Sequence, residues 1–119
     1  MVILLMLARL FALILFLPSL AVAAGFLSVY EDLPLQPGLI EVPGSALSFD
    51  TPVGRIVEVE AKGSSDKQSV LRFYAAALPQ LGWVQDAPSQ FHREQEILKI
   101  ETTESNKGLV VVRFKVSPK

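Results

Sequence analysis

Hydrophobic residues in the middle of the chain recur at the spacing of one helical face. These residues are Val70, Phe73, Tyr74, Ala77, Leu78 and Leu81. Ser65, with Gln68 three residues later, has the spacing of a capping box, and Gly82 is suited to the left-handed conformation at which helices commonly end. Pro79 lacks a backbone N–H, so we expect the last turn of this helix to be bent or loosened.

On both sides of the predicted helix the hydrophobic period changes to two residues, which is typical of strands with one buried face. Two strands are predicted before the helix and four after it: 46–50, 55–61, 83–85, 90–94, 97–103 and 109–116. We therefore predict an α+β fold, with one antiparallel sheet of about five to six strands and a single helix packed on one face, as a two-layer sandwich.

Alternation along the strands assigns residues to the two faces of this sheet. The apolar set for the helix-covered face includes Val57, Val59, Ala61, Leu98, Ile100, Val110, Val112, Phe114 and Val116. The opposite face mixes apolar and charged residues, and it is expected to be solvated, covered by the N-terminal arm described below, or used in dimerisation. From this face we predict a partner surface formed by Ile56, Glu58, Glu60, Ile97, Lys99, Leu109, Val111 and Arg113.

Residues 1–23 have the pattern of an export signal, with an apolar block followed by an A-x-A cleavage site at residues 21–23. The stretch before Arg9 is apolar and uncharged, and a start at Met6 gives a better formed signal. The alternative is an uncleaved anchor in the inner membrane formed by residues 2–22, since roughly 20 apolar residues can span a bilayer. We favour cleavage and expect a periplasmic or secreted protein.

Residues 24–45 are rich in proline and glycine, which favours an extended arm rather than a helix. The arm also carries large apolar side chains and is too hydrophobic for a free linker. Two interpretations follow: the arm lies along the domain and covers part of its core, or it docks on a partner. We favour the first, because exposed apolar patches are rare in monomers. The α+β domain itself is predicted to span residues 46–117.

Composition narrows the function classes further. The chain has no cysteine, which excludes a disulfide framework, a thiolate zinc site and a cysteine nucleophile. The net charge is −1, and without Arg9 the chain has 10 basic and 12 acidic residues. No basic run is present, so nucleic-acid binding is not expected, because phosphate neutralisation supplies most of that affinity. No cofactor-binding motif is present, and no cofactor is expected.

Candidate catalytic residues are few. His92 is the only histidine, and its place beside Phe91 in a strand points it away from the core. Glu58 and Glu60 share a face on which Glu101 is a potential neighbour, but a solvated charged face with lysine partners explains them better than acid–base chemistry. We therefore expect no catalytic residues, no metal site and no enzymatic activity.

The helix region resembles a pattern found in a group of exported proteins. The run Phe73-Tyr74, followed by Leu78-Pro79-Gln80-Leu81-Gly82-Trp83, is similar to one in small exported bacterial domains of unknown function, of an alphaproteobacterial type. In these domains a strand precedes the helix and an antiparallel meander follows. The resemblance covers residues 30–116, implies the fold, and implies no catalytic residues.

Together these patterns favour an exported accessory or binding protein of the cell envelope without catalytic activity. It would act on an unknown protein partner in the envelope through a sheet face or the arm, and would meet the membrane only through an uncleaved N-terminal segment. The alternative is a carrier of a small apolar ligand held between helix and sheet. A preformed apolar cavity would favour the carrier, whereas a filled core with an exposed patch would favour the binding module.

Overall fold

The computed structural model describes residues 25–119, so the predicted signal peptide lies outside the described residues. The elements are β1 (Leu39–Glu41), β2 (Leu47–Thr51), β3 (Gly54–Ser64), α1 (Lys67–Ala77), a 3₁₀ turn (Leu78–Leu81), β4 (Val84–Ala87), β5 (Gln90–Arg93), β6 (Glu96–Glu104) and β7 (Leu109–Pro118). The predicted α+β class is confirmed. The predicted number of strands is too low, because the sheet has seven.

All seven strands form one antiparallel sheet in the order β1-β3-β7-β6-β5-β4, and β2 also pairs with β3. Strands β1 and β2 share one edge of β3: β1 pairs with its C-terminal part and β2 with its N-terminal part. Between them the chain leaves the ladder at Pro43. There the Ser45 hydroxyl accepts the N–H of Glu60 at 3.1 Å, which replaces a backbone partner.

Strand β1 lies within the segment predicted as an arm, and it is the strand that the sequence pattern missed. It has only three residues, between Gly38 and Pro43, which is too short for an alternating pattern to stand out. Its extended conformation is fixed by pairing with residues 61–63 of β3, which the local sequence does not indicate.

The ends of the helix follow the predicted signals with one correction. Asp66, not Ser65, is the N-cap, and its Oδ1 accepts the N–H of Ser69 at 2.8 Å. This hydrogen bond holds the pKa of Asp66 below its usual value. The loosening expected at Pro79 is confirmed, because α1 gives way to the 3₁₀ turn there, and Gly82 ends the turn in the left-handed region with a φ of 90°.

One hydrophobic core lies between α1 and the sheet, on the side that we call the inner face; the opposite side is the outer face. Its fully buried members include Val57, Val59, Ala61, Val70, Tyr74, Leu78, Leu98, Val110, Val112, Phe114 and Val116. The alternation predicted for the sheet therefore places these strand residues correctly. The rings of Tyr74 and Phe114 meet edge to face at 5.3 Å between centroids, a favoured geometry for aromatic pairs.

The N-terminal arm completes the inner layer beside α1. Leu27, Tyr30 and Leu33 are almost fully buried in the same core. The buried Tyr74 hydroxyl donates to the carbonyl of Pro34 at 2.8 Å and so ties the arm to the helix; this burial raises the pKa of Tyr74. Because this part of the arm packs on the inner face and β1 joins the sheet itself, the arm does not cover the outer face. The expectation that the arm covers the mixed face is therefore wrong.

Each helix within residues 25–119 is too short or too polar to span a membrane.

Close approach of β1 to β3 requires glycine at position 63, because a Cβ there would overlap the carbonyl oxygen of Gly38. We expect Gly63→Ala to lower the free energy of unfolding by about 3 kcal/mol, the upper end of overpacking costs, since the obstacle is backbone. Urea denaturation of the protein purified from its host measures this. Gly25→Ala is the control, because its Cβ would meet only Leu35 at 3.8 Å. Equal stability of the two variants would contradict the packing of β1.

Candidate interaction surface

All eight residues of the predicted partner surface lie on the outer face, and the strand register sorts them into rows. At the centre is a group of four side chains that we call the charged belt: Glu58, Glu60, Arg113 and Lys115. The register places Glu58 opposite Lys115 and Glu60 opposite Arg113, across the junction of β3 and β7. The distances are 3.4 Å from Lys115 Nζ to Glu58 Oε1 and 3.7 Å from Arg113 Nη2 to Glu60 Oε1.

Apolar side chains lie on both sides of the charged belt. The register places Phe49 opposite Ile56, and Ile97 lies in the same row on β6. At the other end of the face a groove of about 350 Å³ is bordered by Ile40, Pro43, Lys62, Leu109 and Val111. The exposed fractions are 73% for Ile40, 49% for Leu47, 47% for Phe49 and 48% for Leu109. The outer face is thus a charged centre between two apolar ends.

Three large apolar members of this surface were not predicted: Ile40, Leu47 and Phe49. Ile40 was missed because strand β1 was not recognised. Leu47 and Phe49 lie in a strand that was predicted, and their odd-numbered alternation could have assigned them to one face. Only the pairing of β2 with β3 shows that this face is the outer one.

His92 lies on the outer face, opposite Val84, while its neighbour Phe91 is fully buried. The predicted direction of its side chain is therefore correct. Its Nδ1 lies 2.8 Å from Oδ1 of Asp86, which follows the predicted strand 83–85 but in fact lies in β4 beside a register shift. Among residues 25–119, no cluster of three or more histidine, aspartate and glutamate side chains is arranged to hold a metal ion.

A second polar group lies at one end of the inner face, under residues 28–32, which we call the Tyr30 loop. Tyr30 donates its hydroxyl proton to Glu96 Oε1 at 2.8 Å and accepts from Arg93 Nη2 at 3.1 Å. Arg55 lies over the Tyr30 ring at 4.5 Å and holds Glu96 through two hydrogen bonds, of 3.0 and 3.2 Å. The loop is thus fixed to three strands at once.

Arg93 extends this network to the end of the helix. Its Nη1 donates to Asp32 at 2.8 Å and to the carbonyl of Leu81 at 2.9 Å, and its guanidinium lies 4.5 Å from the Trp83 ring centroid. Clefts of about 430 and 540 Å³ flank Tyr30. Because carboxylates already pair with both arginines along these clefts, the group fastens the arm to the sheet and offers little to an anionic ligand.

Burial and hydrogen bonding shift the pKa values of this network. Partial burial alone raises the pKa of Glu96, but the hydrogen bonds from Arg55 and Tyr30 outweigh it, so this pKa lies below its usual value. Burial, with the hydrogen bond to Glu96, raises the pKa of Tyr30. Both shifts favour the neutral phenol beside an ionised carboxylate.

The sequence contained a signal for this network that we did not use. Arg55, Arg93 and Glu96 each fall in phase with buried residues of their own strands, namely Val57, Phe91 and Leu98. Alternation therefore points three charged side chains toward the covered face. Such charges need partners there.

The space between helix and sheet is filled by side chains. Val70, Tyr74 and Leu78 of the helix layer are fully buried, as are the strand residues beneath them. The clefts described above open at the surface instead. Trp83 is buried as well, but its Nε1 has no hydrogen-bond partner among the described residues.

Comparison with protein-family models found no match to this chain, and neither did comparison with curated proteins or with solved structures.

Loss of the Glu96 charge is expected to destabilise the protein and to change its acid sensitivity. Because the folded-state pKa of Glu96 is lowered, the ionised carboxylate stabilises the folded protein. This stabilisation is complete above the unfolded-state pKa of about 4.3 and is lost as the pH falls through the lower folded-state pKa. We expect Glu96→Gln to lower the free energy of unfolding by about 1–2 kcal/mol at pH 7. The effect is no larger because Arg55 is partly exposed and solvent screens its interaction with Glu96.

Urea denaturation from pH 2 to 7 tests this expectation, with Glu94→Gln as the control, since Glu94 is exposed in the adjacent turn. The curve of the Glu96 variant should approach that of the unsubstituted protein at the acid end. Parallel curves over the whole range would contradict the role of Glu96.

Proposed function

We propose that this chain is an exported, non-catalytic binding protein of the bacterial cell envelope, and that it engages a protein partner through its outer face. One observation carries the proposal: the inner face is covered by α1 and the arm, while the outer face keeps Ile40, Leu47, Phe49 and Leu109 about half exposed or more. Large apolar patches on a soluble domain commonly mark protein interaction sites.

The chemistry of the outer face fits a folded protein surface better than a small ligand. Its centre carries two ion pairs, and its ends carry exposed aliphatic and aromatic side chains. Interfaces combine apolar anchors with polar groups that fix orientation. A partner that matches it needs apolar groups at both ends of a surface with complementary charges between them.

The other two uses considered for this chain have less support. Leu27, Tyr30 and Leu33 of the arm are buried in the core, which favours the outer face over this part of the arm as the binding element. The filled space between helix and sheet supports a binding module rather than a carrier of apolar ligands. Export rests on the N-terminal sequence pattern and on the resemblance of residues 30–116 to small exported bacterial domains.

Photo-crosslinking in the host tests the binding surface. A photoreactive phenylalanine analogue at Phe49 or Leu109 is expected to give an adduct with one defined protein. The same analogue at Leu81, which is 37% exposed on the helix layer, is the matched control and should give none. The identified protein should then bind the purified chain, and Phe49→Lys should weaken that binding about tenfold or more, as expected for an apolar anchor. If neither outer-face position gives an adduct, the outer face is not the binding surface.

Processing of the N-terminal segment tests the assignment to the envelope. We expect intact-mass analysis of fractionated host cells to find a species that begins at Ala24 or Gly25 in the soluble periplasmic fraction, because the A-x-A site ends at residue 23 and Val22 with Ala24 forms an alternative pair. A full-length species in the membrane fraction would instead identify an anchored protein. A full-length species in the cytosol would contradict export altogether.

A further inference from the structure

We propose that the partner of the outer face is a second copy of this chain, bound face to face about a two-fold axis that runs parallel to the strands, above the junction of β3 and β7. This inference rests on the proposed function, since it names the occupant of the same surface. The arrangement of charges on that surface is complementary to itself about this axis.

The charged belt selects the axis. Its acidic residues, Glu58 and Glu60, lie on β3, and the basic residues opposite them lie on β7. A two-fold axis parallel to the strands and midway between them places β3 of one copy over β7 of the other, without a shift along the strands. Glu60 then faces Arg113 of the second copy, and each ion pair becomes one half of an alternating group of four charges.

A two-fold axis perpendicular to the strands gives the opposite result. It would exchange the two rows of the belt and place Glu58 of one copy over Glu60 of the other, with Lys115 over Arg113. Like charges brought together at an interface disfavour association. The pattern of charges therefore favours one orientation and rejects the other.

At one end of the face, apolar groups obey the same symmetry. The axis exchanges the place of β2, beside β3, with the place of β6, beside β7. Phe49 on β2 and Ile97 on β6 lie in the same row across the sheet. Phe49 of each copy thus falls over Ile97 of the other, and the contact occurs twice. Leu47, in the next row, falls over Lys99, whose aliphatic stem can cover it.

The size of the matched surface indicates a reversible dimer. Four strand positions about 4.8 Å apart and five rows about 6.7 Å apart give a footprint of roughly 640 Å² for each copy. The total of about 1,300 Å² is at the lower end of specific interfaces. We expect a dissociation constant in the micromolar range, and weaker association at high salt because the belt is partly exposed.

Charge variants test the pairing by sedimentation of the protein purified from its host. A basic-face variant carries Glu58→Lys with Glu60→Lys, and an acidic-face variant carries Arg113→Glu with Lys115→Glu. Each alone should lose self-association at least tenfold, and an equimolar mixture should regain it. Unsubstituted protein that stays monomeric at hundreds of micromolar, or a mixture that does not associate, would overturn the dimer.

Cysteine crosslinking tests the axis independently, because the chain has no native cysteine. Phe49→Cys protein mixed with Ile97→Cys protein should be joined by a short bismaleimide, whereas Phe49→Cys mixed with Val84→Cys should not. Val84 is a matched control: it is 53% exposed on the same face, but on β4, beyond the overlap of the two copies. Joining of the control pair instead would overturn the proposed axis.

The two proposals fail in different ways. Monomeric protein whose Phe49 position gives an adduct with a different protein in the host would overturn the dimer and leave the binding function standing. Monomeric protein without any adduct from the outer face would overturn both.

Discussion

The structure depends on how a wide sheet is covered by a short helix. An 11-residue helix is about 16 Å long and 10 Å across, whereas six neighbouring strands span about 24 Å. The arm closes the remaining inner face, and it is fixed at two points. Tyr74 holds the carbonyl of Pro34 beside the helix, and Tyr30 is held among Arg55, Arg93 and Glu96 at the far end. Without these two contacts the arm would not be held over the core, and part of the core would be exposed to solvent.

Closure of the inner face by the arm leaves the outer face uncovered by any other part of residues 25–119. A solvated outer face would carry mostly polar groups, yet Phe49 and Leu109 are both about half exposed there. The ion pairs of the charged belt bridge the β3–β7 junction, and they place opposite charges where a second copy would need them. One face of the sheet therefore packs against the core, and the other carries a self-complementary pattern of charges.

Local patterns in the sequence predicted the helix and the buried face of the strands, but few of the contacts between segments that are far apart in the sequence. Alternation in residues 57–61 and 110–116 identified the buried face, and the spacing from Val70 to Leu81 identified the helix. The cap was misplaced by one residue because Ser65 and Asp66 are both good N-cap residues. The Tyr30 network could not be assembled from sequence, because Tyr30 and Glu96 are 66 residues apart and only the tertiary fold brings them together. The outer-face residues were predicted on β3, β6 and β7, but their neighbours on β1 and β2 required the pairing of those strands.

Hydroxyl-radical footprinting of the unsubstituted protein, followed by mass spectrometry, tests the central claim most directly. Phe49 and Phe26 are exposed to similar extents in the single chain, at 47% and 55%, but only Phe49 lies on the outer face. As the protein concentration rises through the micromolar range, we expect oxidation of Phe49 to fall severalfold while that of Phe26 stays constant. Equal oxidation of both residues at every concentration would contradict the outer face as the site of self-association.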